Sequence, residues 1–101
     1  MAPTIFYYQG LEIKFHSNEH EPVHVHIIYN EFESVIEFEI DNGKIVSFIW
    51  RKQLLAKELP ESQKKHALKL IRKYKKEILQ SWIDYFVLHK KIKAKRISQK
   101  L

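Results

Sequence analysis

Residues 23–50, "VHVHIIYNEFESVIEFEIDNGKIVSFIW", alternate between two kinds of side chain through three consecutive runs. Alternation at a period of two is the pattern of strands with one buried face. In the first run Val23, Val25, Ile27 and Tyr29 fall on one side, and His24, His26 and Ile28 on the other. In the second, Phe32, Ser34, Ile36, Phe38 and Ile40 oppose Glu33, Val35, Glu37, Glu39 and Asp41. Asn42-Gly43 then reads as a type I′ turn, which needs positive φ at both central positions, and "KIVSFIW" closes an antiparallel meander.

Upstream, Ile5 to Tyr8 is a short β-branched and aromatic run, and "LEIKFH" alternates Leu11, Ile13 and Phe15 with Glu12, Lys14 and His16. Two-residue turns fix the register. A turn at Asn30-Glu31 pairs Tyr29 with Phe32, which sets His26 opposite Val35 and His24 opposite Glu37. A turn at Asn42-Gly43 sets Glu37 opposite Phe48 and Val35 opposite Trp50. One face is then expected to carry Lys14, His16, His24, His26, Glu37 and Glu39, edged by Phe48 and Trp50. A slip of one residue would invert the strand that slips.

The second half is helical. Leu59-Pro60-Glu61 makes a good start, with proline in the first turn and an acid at the positive helix end. Ala67, Leu68, Ile71, Tyr74, Ile78, Trp82, Tyr85 and Phe86 keep the spacing of one buried helix face. Lys65, Lys69, Arg72 and Lys76 form a separate basic stripe. Run unbroken to Arg96, such a helix would span about 54 Å, so a break is expected between about Tyr74 and Ser81, or else a projecting helix that meets a partner or a second copy. Residues 51–58 are expected to add a short helical turn. The fold expected is α+β: an antiparallel meander of four to five strands packed against one or two C-terminal helices, as a single domain over residues 1–88, with residues 89–101 a basic helical extension or tail.

The chain has 101 residues, no cysteine and a net charge of +6. Residues 1–60 hold five Lys and Arg against nine Asp and Glu, whereas residues 61–101 hold thirteen against three. The basic half suits RNA or an acidic protein as partner. Without cysteine there are no disulfides and no thiolate metal sites. No signal-like segment and no apolar run of about 18 residues is present; the expectation is a cytoplasmic protein with no membrane partner.

The opening "APTIFYYQGLEIKFHSNEHEPVHVHI", an acidic strand, a hairpin and a helix ending in "KKEILQSWIDY" resemble the small bacterial proteins grouped as domain of unknown function 4160. The resemblance is carried by Pro3 and Ile5, by Asn18, Glu19, His20, Pro22, His24 and His26, and by Glu77, Ile78 and Trp82. Val23 departs from the usual Pro-Pro, and the stretch after Phe86 is longer and more basic. Such proteins are often encoded beside another small domain of unknown function, so the resemblance implies the toxin-like member of a toxin–antitoxin pair, with a small antitoxin-like protein as partner. It supplies no chemistry.

Three readings of the histidines stay open on the residues alone. In a metal-independent ribonuclease, His24 and His26 would move protons, Lys14 would meet phosphate charge, Glu37 would orient His24, and His20 would be a substitute acid. Phe48 and Trp50 would stack on bases while Lys65, Lys69, Arg72 and Lys76 held phosphates. In a metal site, His24 and His26 would be joined by His20 or His16, with Glu37 as fourth ligand. In the third, the histidines are the polar side of a strand and the protein is a non-enzymatic module whose basic helix docks an acidic partner. No cofactor is expected.

Overall fold

In the computed structural model, residues 3–15, 23–51 and 57–101 are described. Five strands form the expected meander: β1 (Thr4–Tyr8), β2 (Leu11–Lys14), β3 (His24–Tyr29), β4 (Phe32–Asp41) and β5 (Lys44–Arg51). The helix α1 (Glu61–Trp82) follows, and a π-helical turn, Ile83–Val87, ends it. A sixth strand, β6 (Lys95–Ile97), then pairs parallel to β1, giving the sheet order β5-β4-β3-β2-β1-β6. Part of the stretch read as a tail is therefore a sheet edge. Arg96 lies over the Tyr7 ring at 4.6 Å, and the amide of Leu101 donates to the Tyr8 hydroxyl at 2.9 Å.

One sheet face and α1 make the core. Phe6, Tyr8, Leu11, Ile13, Val25, Ile27, Ile36 and Phe38 are buried together with Leu59, Ala67, Leu70, Ile71 and Ile78. The helix crosses this face from β5, where Lys64 Nζ lies 5.3 Å from the Trp50 ring centre, to β1, where Tyr74 meets Phe6 at 5.1 Å. Tyr74 has non-helical dihedrals (φ −108°, ψ 19°), so the helix bends inside the expected window. The molecule measures 33 × 30 × 28 Å, too short for the unbroken helix the periodicity allowed. Pro60 is the N-cap residue, one place before the first turn in which the sequence put it. Of the turn expected over residues 51–58, Arg51 ends β5 and Lys57 bridges to Phe32, and residues 52–56 lie outside the described residues.

The two hairpins behave differently. The Asn30-Glu31 turn gives the expected register, with His24 opposite Glu37, His26 opposite Val35 and Tyr29 opposite Phe32. The second turn also has the expected geometry, Asn42 and Gly43 both lying at positive φ (52° and 76°). Beyond it, however, Ile40 pairs with Ile45 but Glu39 pairs with Ser47, so Val46 is an extra residue in β5. This β-bulge shifts every later pair by one and turns the side chains over. Ile49 and Arg51, not Phe48 and Trp50, share the histidine face. Phe48 and Trp50 lie on the α1 face, opposite Phe38 and Ile36.

Candidate nucleic-acid interface and histidine face

The histidine face is built by register. Lys14, His26, Val35 and Arg51 form one row across β2 to β5, and His24, Glu37 and Ile49 form the next. His24 is 2% exposed and His26 8%. Their ring centres are 5.5 Å apart, and the His24 ring lies 6.0 Å from that of Trp82. His26 Nδ1 lies 2.9 Å from Glu33 Oε2, so a carboxylate orients this imidazole, but it is Glu33 that does so. Glu33 was not singled out in the sequence; it is a diagonal neighbour of His26 in the register that the first hairpin fixes, within reach of a long side chain.

The other carboxylates of the face are also engaged. Glu37 accepts from Arg51 Nε, and Glu39 from the Ser47 hydroxyl. Glu12 accepts from the Thr4 hydroxyl at 2.5 Å and lies 3.9 Å from Lys14 Nζ. Lys14, expected to meet phosphate, thus stands beside an acid. Among the described residues no group of three or more His, Asp or Glu is gathered to hold a metal ion. His16 and His20, named as further ligands or as a substitute acid, lie outside the described residues.

Of the residues expected to bind nucleic acid, Phe48, Trp50, Arg72 and Lys76 line one groove on the α1 side of the sheet, and Lys65 and Lys69 line neither of its hollows. Lys65, Lys69, Arg72 and Lys76 are all exposed along α1. Between α1 and β5 runs a groove of two adjoining hollows, about 450 and 290 Å³, which share Ile45 and Lys75. Phe48, Trp50, Leu68 and Arg72 line the first, and Lys44, Lys76 and Leu79 the second. The bulge therefore moves the two aromatics away from the histidines and brings them to Arg72. Lys75, missed in the sequence, lines both hollows; it stands three residues after Arg72 and seven after Leu68, which puts all three on one helix flank.

An antiparallel meander crossed by one helix, with an acid-balanced histidine face on one side and a basic, aromatic groove on the other, defines a small α+β domain with two chemically distinct surfaces. Residues 10–83, well over half the chain, match the family described as Domain of unknown function (DUF4160), and the chain belongs to that family. No curated protein and no solved structure matches it. No helix among the described residues is long and apolar enough to cross a membrane.

Proposed function

We propose that this protein is a toxin-like RNA-binding protein, one member of a toxin–antitoxin pair, and that it holds single-stranded RNA in the groove between β5 and α1. One observation carries the binding part of this reading: Phe48 and Trp50 line the same groove as Arg72 and Lys75. Binding of single strands without base pairing needs a cationic path for the backbone and aromatic rings for the bases, and each stacked base contributes about 1–3 kcal/mol. From Leu68 to Leu79 the groove follows α1 for about 16 Å. The toxin-like role rests on the family resemblance.

Binding is favoured over cleavage. A general acid or base has to reach the reacting oxygen, and His24 and His26 are 2% and 8% exposed on the other sheet face. Neither hollow of the groove is lined by His24 or His26.

The test is fluorescence anisotropy of a labelled single-stranded oligoribonucleotide, combined with induced expression in a bacterial host. Wild-type protein and His24→Ala/His26→Ala are expected to bind equally, while Arg72→Ala/Lys75→Ala weakens binding at least about tenfold. Growth arrest with total RNA intact is expected from the wild type and the histidine variant, and is expected to be lost in the groove variant. Fragmented RNA that depends on the histidines would overturn the non-cleaving part. An acidic peptide that binds the groove where RNA does not would replace RNA with a protein partner.

A further inference from the structure

A second cationic hollow lies at the other end of α1, formed by Tyr85, Phe86, His89, Lys90 and Lys91, with a volume of about 370 Å³. Its shape follows from how the helix ends. Ile83–Val87 closes with the Leu88 amide donating to the Ile83 carbonyl at 3.0 Å, a π-helical turn. Turns of this kind occur at helix C-termini. His89 then adopts a left-handed conformation (φ 55°), and the Lys90 amide donates to the Asp84 carbonyl at 2.7 Å. The chain reverses, and two lysines and a histidine come to stand beside the rings of the turn they have just left.

The two sides of the hollow differ in rigidity. Phe86 is held by Trp82 at 4.3 Å, Tyr85 at 4.7 Å and Phe15 at 5.6 Å between ring centres, so the aromatic wall is anchored in the core. His89, Lys90 and Lys91 are exposed and adaptable. From Tyr85 to Leu101 the chain carries six Lys and Arg and no acid, and Asp84, just before, accepts from Gln80 Nε2 at 2.9 Å. An aromatic wall beside two lysines that no carboxylate among the described residues pairs with suits a ligand with one flat ring system and one phosphate. Small-molecule sites start at about 300 Å³, which leaves room here for one such unit.

The geometry points to this hollow as a binding site for a single phosphorylated nucleotide, either free or at the 5′ end of an RNA chain. The base lies against Phe86 and Tyr85, and the phosphate meets Lys90, Lys91 and His89. The site stands apart from the β5–α1 groove, so a nucleotide binds here whether or not that groove holds RNA.

Trp82 touches Phe86 and reports on the hollow. The experiment uses the full chain with Trp50→Phe, which leaves Trp82 as its one tryptophan, and titrates adenosine 5′-monophosphate, adenosine and inorganic phosphate while following fluorescence. Saturable binding of the monophosphate is expected, with adenosine and phosphate each much weaker. Lys90→Ala/Lys91→Ala, at exposed positions that leave the fold intact, is expected to weaken it about tenfold, or about 1.4 kcal/mol. No saturation at millimolar monophosphate, unchanged affinity in the lysine variant, or phosphate alone binding as well would each overturn the proposal. Oligoribonucleotides with a 5′-phosphate or a 5′-hydroxyl then separate the two sources: preference for the phosphorylated end over free monophosphate assigns the site to RNA termini, and the reverse to free nucleotides.

Discussion

Phe38 and Phe48 meet edge to face across β4 and β5, with ring centres 5.1 Å apart. Were Val46 paired with Glu39 in a regular ladder, Ser47 would stand opposite Phe38, and Phe48 would face the histidine side. The contact is thus the packing signature of the bulge, and the groove depends on it.

Deletion of Val46 is expected to close the bulge into a regular ladder that keeps Phe48 opposite Phe38 and Trp50 opposite Ile36, at a cost within about 1 kcal/mol. Phe48→Ala alone should cost about 2–3 kcal/mol, from partial loss of apolar burial and of an aromatic pair. Urea unfolding measures both, and a deletion that costs as much as a large core disruption would show that Val46 is not the extra residue.

On the other face the histidines are expected to matter for stability and not for RNA. Glu33→Ala removes one partly exposed partner of His26 and should cost about 1 kcal/mol. His24→Ala empties a buried site near Trp82 and should cost about 2–3 kcal/mol. Chemical denaturation beside RNA titration checks the pair, and a loss of RNA affinity with unchanged stability would place the histidines in the binding site.

Truncation after Lys91 removes β6, with the ion pair of Lys95 and Glu77 (3.7 Å) and the bond from Leu101 to Tyr8. It also uncovers the edge of β1, and an unpaired edge invites association with other chains. A lower melting temperature and concentration-dependent aggregation are expected in thermal melts with light scattering. A truncated chain that melts like the full one would make β6 dispensable.

RNA affinity should fall steeply with salt, because each phosphate contact on a single strand contributes about −0.7 to the slope of log K against log salt. Arg72→Ala/Lys75→Ala should reduce the slope by about 1.4 on that rule. Anisotropy titrations over a range of potassium chloride concentrations measure this, and an unchanged slope would exclude the two cations from phosphate contact.

What the sequence made legible depended on whether local chemistry decided the outcome. Asn30-Glu31 and Asn42-Gly43 marked their turns, and the first sufficed to place His24 opposite Glu37. The bend at Tyr74 followed from chain length against domain size. Val46 carries no signal of its own, since a valine suits a regular strand as well as a bulge, and this one unmarked residue reversed the placement of Phe48 and Trp50. β6 was hidden for another reason: Lys95-Arg96-Ile97 has two charges in three residues and is a strand because the β1 edge was there to pair with. Glu33 was within reach once the register was known, whereas Lys75 needed the position of β5 against α1.

The most direct measurement is ultraviolet cross-linking of the wild-type protein to single-stranded RNA containing 4-thiouridine, with the cross-linked residues located by mass spectrometry. Cross-links are expected on β5 and α1, centred on Phe48, Trp50 and the peptides holding Arg72 and Lys75. Cross-links concentrated on β3 around His24 and His26 would contradict it and return the histidine face to the centre of the function.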